Sequence, residues 1–254
     1  MGDFHVIIPA RYNSTRFPGK ALEEINGKPI LQHVYDRAIQ SGAISVTVAT
    51  DDERIAKAAN EFGAKVCMTS PEHVSGTDRV AEAAMQGSFE DNEIIVNVQG
   101  DEPLIPPKAI YQVASNLEEH DNIKVATLCE AIHNAEDLVN PNIVKVVINQ
   151  RNHAVYFSRA PIPWNRDKFP LDKDNSVNGT YYRHRGIYAF RVGFLIEFVE
   201  WRECPLEAIE KLEQLRTIWH GGRIHVELSK EKIPQDINTK EDLVAVKKLF
   251  SKKK

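Results

Sequence analysis

Phe4-His5-Val6-Ile7-Ile8 leads directly into Pro9-Ala10-Arg11-Tyr12-Asn13-Ser14-Thr15-Arg16-Phe17-Pro18-Gly19-Lys20. A short apolar run of strand length is followed by a loop that concentrates Arg11, Arg16 and Lys20 among hydroxyls and turn formers. The whole chain carries a formal net charge of −4, so this local positive charge calls for an anionic partner or a solvated loop. In open α/β sheets ligands bind at the carboxyl ends of strands, which places the loop well for a polyphosphate. Taken alone, a surface turn with incidental charges reads the same.

Outward from this stretch, strand-length apolar runs alternate with segments of helical period. Phe4–Ile8, Val46–Thr50, Val66–Met68 and Ile94–Val98 read as strands, and Ile30–Ser41, Glu53–Phe62 and Asp78–Gln86 as helices. Such alternation predicts a parallel sheet with helices on its faces. Beyond Pro107 the pattern loosens into strand-like Val125–Cys129, Ile143–Ile148, Ala154–Phe157 and Gly186–Arg191, two helical stretches within Val192–Trp219, and a capped helix after Thr239. A mixed sheet completes the α/β fold. The polar segment Trp164–Tyr182 reads as a mobile loop or a dimer-facing arm.

A chain of 254 residues fits a single α/β core. Its hydrophobic share of 42% and charged share of 27% are those of a soluble globular protein, with no apolar run of membrane-spanning length. No secretory signal is expected. Cys67, Cys129 and Cys204 are far apart and unpaired in spacing, which fits a reducing compartment and a cytoplasmic location. The acidic balance and the lack of a long basic stripe argue against nucleic acid.

Neither Gly-x4-Gly-Lys-Ser/Thr nor Gly-x-Gly-x-x-Gly occurs, so another kind of nucleotide site is required. Arg11 and Lys20 could neutralise phosphates, with Ser14, Thr15 and the amides around Gly19 as hydrogen-bond donors. In Val96-Asn97-Val98-Gln99-Gly100-Asp101-Glu102-Pro103 a buried-type strand ends in an amide, a glycine and two carboxylates. Asp101 held there could bind Mg²⁺, which takes one or two carboxylates and completes its shell with water and phosphate. A turn capping the helix after Pro107 is the bland alternative. Ser75-Gly76-Thr77-Asp78-Arg79 suits backbone approach to a base or sugar, or serves only as an N-cap. By local pattern Leu212 and Leu215 face a core and Arg216 faces water, which would leave Glu213 and Gln214 solvated; Tyr188 reads as core.

Together, Ile8-Pro-Ala-Arg11, Ser14-Thr-Arg16-Phe-Pro-Gly-Lys20, Asn26-Gly-Lys-Pro29, Val48-Ala-Thr-Asp51, Ser75-Gly-Thr77, Asn97-Val-Gln-Gly-Asp-Glu-Pro103, Tyr156-Phe-Ser-Arg159, Arg183-His184, Gly186-Ile-Tyr188 and Leu212-Glu-Gln-Leu-Arg216 closely resemble the 3-deoxy-manno-octulosonate cytidylyltransferase family. The resemblance runs in order over nearly the whole chain. It implies a Rossmann-like three-layer α/β/α sandwich with a mixed sheet, of the nucleotide-diphospho-sugar transferase type, in one domain spanning 1–254. A dimerisation and sugar-side subregion is expected at about 125–190, in a homodimer. The implied reaction joins CMP from CTP to the acidic eight-carbon sugar Kdo, releasing pyrophosphate, for lipopolysaccharide inner-core synthesis.

By the same resemblance Arg11, Lys20 and Asp101 are catalytic, and Ala10, Arg11, Ser14, Arg16, Lys20, Ser75, Gly76, Thr77 and Gln99 surround the nucleotide. Gln99, Arg159, His184, Tyr188, Glu213 and Gln214 match positions around the sugar acid, and Asp101 with Asn238 would hold Mg²⁺. Two departures stand out. Relatives end Val-Asp-Thr-Pro-Glu-Asp-Leu where this chain reads Ile237-Asn-Thr-Lys-Glu-Asp-Leu243, so Asn238 replaces a ligand aspartate and Asp236 could compensate. Arg185 stands where relatives carry an apolar residue, and is either outward-facing or turned toward the sugar. A cytidylyltransferase for another acidic sugar, or a catalytically weak nucleotide-binding paralogue, are the alternatives.

Overall fold

The computed structural model describes residues 3–13, 17–169, 176–177 and 180–251. In its first half β1 (Phe4–Ala10), a β2–β3 hairpin (Glu24–Ile25, Lys28–Pro29), α1 (Ile30–Gln40), β4 (Ser45–Thr50), α2 (Glu53–Glu61), β5 (Lys65–Met68), α3 (Gly76–Gln86), β6 (Ile94–Asn97) and α4 (Pro107–Glu118) follow one another. The second half adds β7 (Val125–Ala131), α5 (Ala135–Val139), β8 (Lys145–Ile148), β9 (Ala154–Ser158), β10 (Tyr182–Arg191), α6 (Val192–Glu200), α7 (Pro205–Glu210), α8 (Leu215–Trp219), β11 (Ile224–Leu228) and α9 (Lys240–Ser251).

Every residue of β1 is buried, as a central strand covered on both faces demands. Its alternating side chains separate two cores. Phe4, Val6, Ile8 and Ala10 pack with Leu31, Val34 and Ile110 from α1 and α4, while Ile7 packs with Val80, Ala84 and Leu195 from α3 and α6. This is the expected three-layer sandwich. The sheet runs β11-β7-β10-β6-β1-β4-β5, with β8 hung on β10 and β9 on β8. β10 is antiparallel to β6 and β7, whereas the pairs of β1 with β4 and β6, of β4 with β5 and of β7 with β11 are parallel. The sheet is therefore mixed.

Local chemistry fixes the joints. Asn26 and Gly27 both have positive φ, 51° and 77°, the turn an Asn-Gly hairpin adopts. Asp52 caps α2, and Ser75 with Asp78 forms a capping box on α3. Pro107 opens α4 from the first helical position. Two expectations need correction. Val192–Trp219 holds three helices rather than two, because Pro205 starts α7 and Lys211, left-handed at φ 53°, ends it. The run Ile224–Leu228, unassigned from sequence, is β11, an edge strand parallel to β7. Of the polar segment, residues 170–175, 178 and 179 lie outside the described residues; within the rest Trp164 stacks on Phe169 at 4.3 Å.

The carboxyl ends of β1 and β6 meet at Gly100. A Cβ there would lie 3.0 Å from the Pro9 carbonyl oxygen, so tight that the backbone would have to give by a few tenths of an ångström. Gly100→Ala is expected to lower stability by about 1–3 kcal/mol, read from the urea midpoint. An unchanged midpoint would mean that these strand ends separate freely.

Candidate active site

The loop after β1 is closed by its own backbone. Gly19, at φ 72°, donates its N–H to the Tyr12 carbonyl at 2.8 Å, and Arg54 covers the Tyr12 ring from α2. Lys20 then turns into the sheet edge and forms an ion pair with Asp101 from the β6 loop. Its ammonium also donates to the Ile237 carbonyl at 3.2 Å, while Ile237 N–H donates to the Asp101 carbonyl at 3.0 Å. Three segments distant in sequence thus converge on one charge pair.

Ala10, Arg11, Lys20, Ser75, Gly76, Gln99 and Asp101 line a common cleft. Ser14 and Arg16 lie outside the described residues. His73, which lies in no sequence motif, also lines the cleft, as does Arg79, the last residue of the Ser75–Arg79 stretch, to which the sequence reading gives no role. Arg79 is 3% exposed, donates to Thr69 Oγ1, and sits 3.4 Å from Asp51. An arginine on the buried face of an amphipathic helix was the available signal. His73 pairs with Glu82 from α3.

The acidic side of the cleft is short of positive charge. Burial holds the Asp101 carboxyl above its ordinary value, Lys20 opposing and Asp236 reinforcing the rise. Burial pushes Glu102 up to about 8, with Asp101 and Asp236 acting in the same direction and Arg185 against it. One Glu102 oxygen, Oε2, is buried without a hydrogen bond. These hard oxygen donors suit a divalent cation. Among the described residues no three acidic, histidine or cysteine side chains are grouped to hold a metal unaided. Asn238 donates its amide to Asp236, so the departure from the family sequence and its neighbour are in contact.

Arg185 is neither outward-facing nor free. Its guanidinium is ion-paired with Glu130 on β7, whose other oxygen accepts from Ile233 N–H at 2.8 Å. The charge is therefore spent on the protein.

The predicted sugar-side residues form a second group. Glu213 is not solvated: it accepts from Ser75 Oγ at 3.2 Å and Thr77 Oγ1 at 3.0 Å, joining the α3 start to the α7–α8 loop. Burial raises its pKa, with the two hydroxyls opposing. Arg216 does not face water either; it grips Glu207 at 2.6 and 2.8 Å and lies over Phe198. The helical-face reading failed because α8 begins only at Leu215. Thr77, Tyr188, Glu213 and Gln214 share a small cavity, and Tyr188 Oη is buried there without a partner. Arg159 lines neither cavity; three of its N–H groups meet the carbonyls of Glu210, Pro141 and Lys211.

His184 packs against Phe157 and Tyr188, ring centroids 5.0 and 5.3 Å away. Thr127 Oγ1 donates its single proton to a carbonyl of the β10 bulge, Ile187 O at 2.7 Å, so it accepts from His184 Nε2–H at 2.9 Å. The neutral ring therefore keeps Nδ1 as an acceptor.

A cationic loop facing a carboxylate-rich strand end across a doubly covered α/β sheet defines a nucleotidyltransferase. Residues 5–233 match the family model described as Cytidylyltransferase. A 3-deoxy-manno-octulosonate cytidylyltransferase from Coxiella burnetii is 59% identical over 249 residues, 98% of this chain and 100% of the relative. One from Hahella chejuensis is 54% identical over 254 residues, with 99% of each chain covered. The solved structure of a CMP:2-keto-3-deoxy-manno-octonic acid synthetase complexed with CTP superposes with a TM-score of 0.90 at 39% identity, covering 100% of both chains. A 4-diphosphocytidyl-2C-methyl-D-erythritol synthase from Anaerococcus prevotii shares the fold at 11% identity and TM-score 0.62, over 98% of this chain and 99% of that one. The chain belongs to the cytidylyltransferase family, and within it to the 3-deoxy-manno-octulosonate cytidylyltransferase (CMP-Kdo synthetase) family.

Burial, with Arg185 nearby, lowers the His184 pKa to about 3. The unfolded ring, near 6.5, takes up its proton first as pH falls, so this contribution is complete above about 6.5 and is lost towards 3. Between pH 7.5 and pH 5 His184 alone should remove about 2 kcal/mol. His184→Gln should lose correspondingly less stability over that interval in urea unfolding; an equal loss in both proteins would contradict the assignment.

Proposed function

We propose that the chain transfers CMP from CTP to 3-deoxy-D-manno-octulosonate, releasing pyrophosphate. The observation that carries this reading is the single cleft that joins the Arg11–Lys20 loop, the Ser75-Gly76 helix start and Asp101 in a chain alike over full length to cytidylyltransferases for this sugar. The anomeric hydroxyl attacks the α-phosphorus, the new O–P bond forms as the bond to the β-phosphate oxygen breaks, and pyrophosphate leaves. Positioning and electrostatics supply most of the acceleration in such transfers.

Arg11 and Lys20 neutralise the triphosphate, and Ala10, Ser75, Gly76, Thr77 and Gln99 hold the nucleoside end, with Ser14 and Arg16 assigned there by family position alone. Gln99, Arg159, His184, Tyr188, Glu213 and Gln214 take the sugar acid. Asp101, with Asn238 or Asp236, would hold Mg²⁺, which when bound neutralises charge on the α-phosphate and the departing pyrophosphate. Lys20 and Asp101 neutralise each other, so phosphate and Mg²⁺ should enter together. Either alone would leave one partly buried charge uncompensated. A homodimer is part of the proposal, supported by Val139, Val155 and Trp164, which stay exposed within the 125–190 subregion. No helix among the described residues is long and apolar enough to cross a membrane.

Pyrophosphate release with CTP, Mg²⁺ and a panel of acidic sugars tests the reading, with turnover expected for Kdo. Binding of CTP without turnover of any sugar would favour a non-catalytic role. Asp101→Ala should reduce kcat by about 10³-fold or more. If Asp236 shares the metal, Asp236→Ala raises the Mg²⁺ concentration needed for half-maximal rate; an unchanged Mg²⁺ dependence assigns that place to Asn238.

A further inference from the structure

Behind the sugar-side arginine stands a buried cation. Lys145, on β8, is fully buried, a place lysine almost never takes unless its charge is answered. Its ammonium donates to three backbone carbonyls: Asn140 at 2.9 Å, Ile143 at 2.6 Å and Arg159 at 2.6 Å. Three N–H groups meet three acceptors. Glu210 attracts the ammonium without a hydrogen bond to it, since its own oxygens take Ser158 Oγ and Arg159 N–H. Burial, with Arg159 adding to it, lowers Lys145 to about 8, so this ammonium is held against a cost.

The identity of the three carbonyls gives that cost a purpose. Asn140 and Ile143 bracket Pro141, whose carbonyl accepts from Arg159 Nη1 at 3.0 Å. The third carbonyl belongs to Arg159 itself. One ammonium thus fixes both the backbone of Arg159 and a carbonyl that aims its guanidinium. The remaining supports are Glu210 O, 2.7 Å from Nε, and Lys211 O, 3.5 Å from Nη2. A guanidinium has five N–H groups, so one stays available on each terminal nitrogen, the pair a carboxylate accepts side by side.

We propose that Lys145 is a positioning residue, which holds Arg159 so that its two open N–H groups face the carboxylate of the acceptor sugar. The inference rests on the proposed place of Arg159 at the sugar acid, whose carboxylate a guanidinium pairs with bidentately. A buried apolar side chain of the same length would spare the desolvation, but would leave three carbonyls unanswered and Arg159 unheld.

The test is a double-mutant cycle in steady-state pyrophosphate release with Lys145→Met, Arg159→Ala and the double variant, thermal melts confirming folded protein. Lys145→Met is expected to raise KM for Kdo by about tenfold or more while KM for CTP stays within about twofold. In the Arg159→Ala background the same substitution should raise KM for Kdo no further. An unchanged KM for Kdo in folded Lys145→Met overturns the proposal. So does an equal rise in KM for CTP, or a full additional effect on top of Arg159→Ala, since each marks general loosening. If Arg159→Ala itself leaves KM for Kdo unchanged, the reading of Arg159 fails first and is recognised as the cause. Should Lys145→Met not fold, Lys145→Gln, which keeps two N–H donors, enters the same cycle with the same outcomes.

Discussion

The ion pair between Lys20 and Asp101 ties together the ends of β1 and β6 and the segment before α9. A charge pair so little exposed holds only with good geometry and further hydrogen bonds. Here the backbone of Ile237 brackets the pair, its carbonyl accepting from the Lys20 ammonium and its N–H holding the backbone carbonyl of Asp101. Gly19 allows the chain to turn so that Lys20 points inward, and Gly100 lets the β6 loop lie on Pro9. Neither glycine is near a helix interior; both serve the close approach of two strand ends. Lys20 and the acidic pole of the cleft are therefore placed by one interaction.

That pair also sets the charge balance around it. Asp101, Glu102 and Asp236 share one region with Lys20, and Glu102 is raised to about 8 by burial and its acidic neighbours. Arg185 is near enough to oppose this, yet its hydrogen bonds go to Glu130, which in turn holds Ile233. The charge of Arg185 is thus absorbed by a partner on the adjacent strand. Its guanidinium acts on the acidic pole by charge alone, opposing the rise of Glu102.

Much of the fold was legible because its signals are local. A fully apolar β1, the Asn26-Gly27 turn, the Ser75 cap and Pro107 at a helix start are each decided within a few residues. The cleft lining was legible for the same reason, since strand ends deliver adjacent residues to one place. What escaped reading depends on partners far away in the chain. Glu213 looks solvated until Ser75 and Thr77, 138 and 136 residues earlier, are brought to it. Arg216 looks exposed until Glu207 folds back as a separate short helix. The backbone carbonyls from two other segments that take three donors of Arg159 are likewise invisible in its local sequence. β11 was missed because an edge strand of five residues after a glycine pair carries little pattern of its own.

These long-range contacts divide the site into two mechanically different halves. The cleft lined by Gly76, Gln99 and Gly100 is built on parallel strand ends and on a helix whose start Ser75 and Asp78 cap. The cavity lined by Tyr188, Glu213 and Gln214 is built on β10, which runs against its neighbours β6 and β7, and on the short helices after it. There, position is held by side chains: Thr127 orients His184, Glu210 and Lys145 hold Arg159, and Lys211 sits in a left-handed conformation just before Glu213. Glu213 is the contact between the halves, because its two oxygens rest on the hydroxyls that open the nucleotide helix. Any group that takes those oxygens must displace Ser75 and Thr77, and any group that takes the hydroxyls must displace Glu213, so a change in one cavity reaches the other through three side chains without any movement of the sheet.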